Sequence, residues 1–462
     1  MSAQLKTQLP RFTPPRIHPP AKPLKRLAFL AAFVRNPLQV APQAVYEEDY
    51  VSSGSGRRQR AWITSPALIK AVLLDQRDKF QKLTQIRLLG PLLGKGILTS
   101  EGADWKWQRQ ASAPMFRQQD LMGFVPTFVR ATQSLLEKWR GSQGEVRPVD
   151  LDMTRVTFDV VSATLLPSAD RTVGAAVAHS VDKLQTSGGW GQLYASMNAP
   201  KWLPHPGKRA AALSTLRLRS AVAAMLAERR AVVSEKSGEP DDLMHRLMAA
   251  RDPDSGQSMN DEQLIDNLLT FYMAGHETTA KALTWTLYLL ARSPEWTLAL
   301  KDEISAVTGG ADVASGHIER LVLVQQVIKE SMRLYPPVPI MSRQAVADTR
   351  IEDHDIRAGA SVLIPIYVIH RHTKRWHDPD VFDPTRFAAG REAEVARYQY
   401  MPFGAGPRIC IGMAFAMIEA TAILATLLQR ARFEPVEDHE PAPVARVTLV
   451  PRGGMPLRVW AF

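Results

Sequence analysis

The sequence predicts a mainly α-helical protein with a small β component, built as one large domain behind an N-terminal arm. Three observations carry that prediction. Apolar residues recur with a period near 3.6 through most of the chain, β-like stretches are few and short, and no linker-like break separates two compact halves. At 462 residues the chain can bury a large core.

Residues 1–45 read as a proline-rich basic arm. Lys6, Arg11, Arg16, Lys22, Lys25, Arg26 and Arg35 are basic, and no acidic residue precedes Glu47. A solvated, proline-stiffened lead-in is the expectation, with contact to a membrane surface or an anionic partner as the alternative. The apolar run Leu27–Val34 is too short to span a bilayer, and no small-residue cleavage site follows it cleanly. The expectation is therefore a soluble, cytoplasmic protein without a transmembrane anchor. A net charge of +11 invites a nucleic-acid reading, but beyond the arm the charges are mixed and no basic stripe interleaves with aromatics, so nucleic acid is not expected as a partner. One cysteine excludes an intramolecular disulfide.

From Tyr46 to Phe462 the elements follow in order. "RRQRAWITS" (Arg57–Ser65) has strand character, and helices are predicted over Leu121–Trp139 and Thr215–Val233. The longest helix runs from Asn260, which with Gln263 makes a capping box, to Arg292 before Ser293-Pro294. At 1.5 Å per residue it is a rod of roughly 45 Å. Its flanks are apolar, but its middle is "AGHETT" (Ala274–Thr279). A buried Glu277 is costly unless paired, hydrated or neutralised. Two readings stay open there: a hydrated kink with capped polar groups, or a proton-delivery site.

Next, "KESMR" sets Glu330 and Arg333 three apart on a helix predicted from about Glu319 to the "YPPVP" stop. Apolar neighbours argue for burial, and a buried pair wants a third partner, for which Arg386 in "FDPTRF" is the candidate. A strand is predicted over Ser361–Ile369, an ordered meander over residues 373–403, a helix over Ile418–Ala431, and a C-terminal hairpin turning at Gly453-Gly454.

"FGAGPRICIG" (Phe403–Gly412) holds the single cysteine, Cys410, among Gly404, Gly406 and Gly412 at the start of an apolar helix. A helix N-terminus and Arg408 favour thiolate over thiol. A nucleophile, a metal ligand, a redox sensor and a buried small hydrophobe all remain open. No histidine pairs visibly with Cys410 as a hydrolase base would, and no Cys/His cluster has zinc-ligand spacing. A single thiolate suits a metal whose other ligands are not protein, which points to haem iron.

These segments together resemble the cytochrome P450 superfamily, of the bacterial soluble type. "FGAGPRICIG" resembles its haem-binding loop, "AGHETT" its oxygen-activating helix, "ESMR" its Glu-x-x-Arg motif, "FDPTRF" its meander, and "WKWQR" (Trp105–Arg109) its propionate-binding stretch, in the family's order. The resemblance implies a cytochrome P450 fold with haem b buried between the central helix and the cysteine-loop helix. It implies Cys410 as axial thiolate, with Phe403, Gly404 and Ala274 beside the haem, and Trp105, Arg109, Arg343 and Arg408 at the propionates. Glu330, Arg333 and Arg386 would form a structural triad. Glu277 and Thr278 would steer protons to dioxygen, and His276 has no assigned role.

Phe271, Ala274, Val338, Ile340, Met341 and Leu92 would line an apolar pocket for a fatty-acid-like or terpenoid-like substrate. The chain has no flavin- or nicotinamide-binding glycine motif, so electrons, ultimately from NAD(P)H, would come through a separate ferredoxin or flavodoxin/reductase. Lys106 and Arg117 are candidates for docking it, and a monomer is expected. The implied reaction is insertion of one oxygen atom from O2 into a C–H bond. A peroxide-dependent peroxygenase or a haem-based sensor is the alternative, and a cysteine hydrolase stands third.

Overall fold

Helices dominate because most apolar stretches carry the 3.6 period, and they stack around the longest of them. The computed structural model describes residues 12–141, 143–165, 190–200, 202–235, 242–252 and 254–462. The longer helices are α1 (Arg26–Arg35), α2 (Leu83–Leu93), α3 (Gly102–Ser112), α4 (Val125–Trp139), α5 (Val149–Leu165), α6 (Lys208–Glu235), α7 (Asp261–Ala291), α8 (Pro294–Thr308), α9 (Val322–Leu334) and α10 (Met413–Arg430). α7 packs against α5, α6, α9 and α10 and so runs through the centre of the molecule. Its start is the predicted capping box: Gln263 N donates to Asn260 Oδ1 at 2.9 Å, and Asn260 N donates to Gln263 Oε1 at 3.1 Å. The main core joins α4, α5, α7, α9 and α10 through Phe128, Val156, Trp285, Val327 and Leu424.

The β component comprises β1 (Tyr50–Ser53), β2 (Arg60–Ile63), β3 (Phe80–Gln81), β4 (Glu145–Pro148), β5 (Met341–Ala345), β6 (Thr349–Ile351), β7 (His354–Ile356), β8 (Ser361–Ile364), β9 (Ala431–Pro435), β10 (Ala442–Ala445), β11 (Leu449–Arg452) and β12 (Pro456–Ala461). A five-stranded sheet has the order β1-β2-β8-β5-β3, with β2 and β8 parallel and the other pairs antiparallel. It carries Met341 and Arg343 toward the centre on β5, where Arg343 stands opposite Val362. The order β4-β12-β9 makes a second sheet, and β10–β11 and β6–β7 are ribbons.

Several expectations change. The helix predicted over Leu121–Trp139 is broken between Met122 and Val125, because Pro126 lacks an N–H and its ring would strike the carbonyl of Met122. The Glu-x-x-Arg helix starts at Val322, after a short 3-10 stretch over Ser315–Arg320. The strand predicted over Ser361–Ile369 stops at Ile364, and after Pro365 the fully buried Ile366–Ile369 form a helical turn. Gly453 and Gly454 do turn the chain, both at φ +82. They do not close a hairpin, since β11 pairs with β10 while both edges of β12 are taken by β4 and β9.

The arm is packed at residues 12–17 and again over residues 32–45, while the stretch between them is largely solvated, with Leu27 82% exposed. Ile17 is buried and its N–H donates to the Tyr367 hydroxyl at 3.0 Å, Tyr335 donates to Pro15 O at 2.7 Å, and Phe382 N donates to Phe12 O at 3.0 Å. Lys6 and Arg11 lie outside the described residues. By length and composition two helices among the described residues could cross a membrane, Lys208–Ala231 and Met413–Arg430. The second is a core helix between α4, α7, α8 and α9, and the first carries Arg209, Arg217, Arg219, Arg229 and Arg230.

Candidate active site

On α7, Phe271, Ala274 and Thr278 share one face by their i, i+3, i+7 spacing, and all three border a cavity of about 1240 Å³. The Thr278 hydroxyl donates to Ala274 O at 2.8 Å, the back-bond expected of a mid-helix threonine. Glu277 borders the same cavity at 4% exposure, and its Oε1 accepts from the Thr448 hydroxyl at 2.6 Å. His276 is buried, its Nδ1 lying 2.9 Å from Tyr272 O, and its own carbonyl accepts from Thr157 of α5.

The cysteine loop enters the cavity from the other side. Gly404 and Gly406 hold φ near +73 and +71. At Gly406 a Cβ would stand 2.6 Å from the Leu73 carbonyl oxygen, so only glycine fits. Cys410 N donates to Phe403 O at 2.9 Å, which closes the loop around the sulfur. The sulfur faces open cavity space, yet the protein around it is enough that burial pushes the thiol pKa up. The Gly412 amide and Arg109 pull the other way without prevailing. The expected lowering by a helix terminus and Arg408 is thus outweighed by desolvation, and Arg408 points elsewhere.

Arg408 lies with its guanidinium 3.9 Å from the Trp105 ring centre, donates to Ser100 O at 2.9 Å and pairs with Glu101 at 2.5 Å. Arg343, on β5, and Lys82, just before α2, join the same wall, and Arg109 of α3 borders the cavity with no side-chain hydrogen bond among the described residues. Burial lowers Arg343 and Arg408 to about 10 each. Burial, with Arg408 and Arg343 nearby, lowers Lys82 to about 7. Four basic side chains therefore crowd one wall, and Glu101 is the carboxylate beside Lys82, Arg343 and Arg408.

Leu92, Val338, Ile340 and Met341 also line the cavity, as do Leu88, Leu89 and Leu93. Glu330, Arg333 and Arg386 do not; they meet on the far side of α9. Arg333 grips Glu330 with two bonds of 2.7 Å, and Arg386 Nε lies 3.4 Å from Glu330 Oε1. Arg333 also donates to the carbonyls of His370, Pro379 and Val381 at 2.9, 2.6 and 3.0 Å.

Reading the sequence missed Lys82, Glu101, Thr448, His370 and Glu419. Only Glu419 carried a signal: it is the one acid in the apolar run "MAFAMIEATAILATLL", the same pattern that singles out Glu277. It is fully buried on α10, and burial pushes it up to about 8.

These residues fit an iron porphyrin. Among the described residues no group of three His, Cys, Asp or Glu could hold a metal, so iron at Cys410 would take its other ligands from outside the protein. The surplus of buried positive charge suits a group bearing two carboxylates.

A family model described as Cytochrome P450 matches residues 20–456. Cytokinin hydroxylase of Arabidopsis thaliana is 32% identical over 410 residues, 87% of this chain and 79% of that protein. Cyclooctatin synthase of Streptomyces melanosporofaciens is 30% identical over 440 residues, 94% and 93% of the two chains. Cyclooctat-9-en-7-ol 5-monooxygenase of the same organism is 29% identical over 415 residues, 89% and 88%. The crystal structure of the cytochrome P450DA heme domain superposes with a TM-score of 0.83 at 25% identity, over 97% of this chain and 98% of that one.

Proposed function

The chain belongs to the cytochrome P450 family and is a cytochrome P450 monooxygenase, and from that premise we propose that it inserts one oxygen atom from O2 into a C–H bond of an apolar, terpenoid-like molecule. The observation that carries this is the shared cavity: the Cys410 loop, the Ala274–Thr278 face of α7 and a basic wall all border it. When bound, the haem–thiolate iron supplies dioxygen activation and oxygen transfer, the net reaction being RH + O2 + two electrons + two protons to ROH + H2O.

The remaining work falls to the protein. Cys410 holds the iron of haem b. Phe403, Gly404 and Ala274 shape the space beside it. Arg109, Arg343, Arg408 and Lys82, with the Trp105 ring, hold the propionates. Glu277 and Thr278 hold the exchangeable protons of the α7 wall. Phe271, Leu92, Val338, Ile340 and Met341 orient an apolar substrate and exclude water. The names of the Streptomyces relatives support a largely hydrocarbon substrate, one of them citing an alkenol.

Electrons come from a separate ferredoxin or flavodoxin/reductase drawing on NAD(P)H. Exposed Arg117 and Lys106, the latter loosely paired with Asp254 at 3.8 Å, offer an acidic carrier a landing face in the cytoplasm. The acid–threonine pair favours dioxygen chemistry over the peroxygenase alternative.

Optical titration of the purified protein with fatty acids, terpenoids and small aromatics tests the reading. A thiolate-haem spectrum and a saturable low-to-high-spin shift with terpenoids is the expected result. A shift with fatty acids alone would overturn the substrate class, and absence of haem after adequate haem supply would overturn the role of Cys410.

A further inference from the structure

We infer that Thr448 is the residue that positions the Glu277 carboxyl for proton transfer, an inference that rests on the reading of Glu277 as an acid in the reaction proposed above. Glu277 takes its 2.6 Å hydrogen bond not from its own helix but from a residue 171 positions away. Thr448 sits in the reversal between β10 and β11, is 3% exposed, and borders the cavity beside Arg446 and Val447.

That reversal is held at three backbone points. Arg446 N donates to Thr448 O at 2.8 Å, and Leu449 N donates to Pro337 O at 2.9 Å, tying it to the segment that brings Val338 and Ile340 to the cavity. Trp285 Nε1, two turns along α7 from Glu277, donates to Leu449 O at 3.1 Å. A hydroxyl fixed this way is a preorganised donor, whereas a glutamate alone has three side-chain torsions to sample.

With Oε1 pinned in the wall, one rotamer is selected, and it keeps the carboxyl at the cavity next to Thr278. In each transfer Glu277 gives one proton toward the cavity and takes one back from water, so the carboxyl ends as it began. Thr448 loses none, and it continues to donate the same hydrogen bond. It touches no reacting atom, so it is a positioning residue.

The test uses the haem-loaded full chain, a surrogate ferredoxin with its reductase, and NAD(P)H. It is run without substrate and with cyclooctat-9-en-7-ol and dodecanoic acid as probes. The readouts are O2 consumption, its solvent hydrogen-isotope effect, and the haem spectrum. Thr448→Val is expected to slow O2 consumption on the order of tenfold, the effect of losing one buried hydrogen bond to a carboxylate, and to raise the isotope effect. Thr448→Ser restores both. Glu277→Gln behaves like Thr448→Val, and the double variant is no worse than either single, because the two residues act as a unit.

A purely structural role would change haem loading but not the isotope effect. Should the valine variant lose haem, Thr448→Ala carries the same comparison. A wild-type rate and isotope effect in Thr448→Val beside an impaired Glu277→Gln would overturn the inference and leave the acid reading standing. If neither variant is impaired, the role of Glu277 itself falls.

Discussion

Thr278 has one hydroxyl with two uses. At rest it donates to the Ala274 carbonyl at 2.8 Å, and it also borders the cavity. Under the proposed mechanism its release from that back-bond makes it a donor on the cavity side. Thr278→Ala should therefore keep consuming NAD(P)H while product per NAD(P)H drops on the order of tenfold or more and peroxide rises, with Thr278→Ser close to wild type. Unchanged coupling in the alanine variant would remove Thr278 from the mechanism. Gly406 makes a second case at this scale. A Cβ there would meet Leu73 O at 2.6 Å on a backbone already at φ +71, so Gly406→Ala should displace the cysteine loop. The expected outcome is haem per protein well below one after purification with excess haem; full loading would show that the loop tolerates the shift.

At the scale of elements, α9 and the meander are fastened by the Glu330 carboxylate. It takes both bonds from Arg333, lies 3.4 Å from Arg386, and accepts from Asp383 N at 2.9 Å. Glu330→Ala would leave two buried guanidiniums without their counter-charge, a loss of about 3–5 kcal/mol. Urea unfolding of the holoprotein should show it as a lower midpoint, and an unchanged midpoint would refute the structural role. This fastening was legible because the spacing, the apolar neighbours and the second arginine motif lie in the sequence. So were the capping box of α7 and the glycine frame around Cys410, which depend on residues close along the chain. The Thr448–Glu277 bond, the Arg408–Glu101 pair and the Lys82 amine were not legible, since each exists only when distant segments meet. For the same reason the separation of β11 from β12 could not be read from Gly453-Gly454. The turn residues specify a reversal, and the free edges elsewhere decide what each strand pairs with.

Across the whole molecule, two fully buried titratable groups make stability depend on pH in opposite senses. His370 joins the α9 terminus to the approach of the cysteine loop. Met401 N donates to its Nε2 at 2.9 Å, so its Nδ1 carries the proton and donates to Arg333 O at 3.1 Å. Burial, then the nearby Arg333 charge, lowers its pKa to about 3. Between the ordinary histidine value near 6.5 and 3 the unfolded chain binds the extra proton, so this contribution to stability falls as pH falls. Glu419 acts in the opposite sense. Burial raises it to about 8 against the pull of Thr279, so from the ordinary 4.5 up to 8 the folded chain holds the extra proton and stability falls as pH rises. Each slope is at most about 1.4 kcal/mol per pH unit. The two contributions cancel between 4.5 and 6.5; above that range the Glu419 contribution falls, and below it the His370 contribution falls. Thermal midpoints of the holoprotein between pH 3.5 and 8.5, taken as wild type minus variant, isolate each contribution. The wild-type midpoint minus that of Glu419→Gln should fall as pH rises from 4.5 to 8. The wild-type midpoint minus that of His370→Gln, which keeps an acceptor for Met401 N, should fall as pH falls from 6.5. A variant whose midpoint tracks wild type at every pH would show that its group titrates alike in the folded and unfolded chain, and would refute the shift.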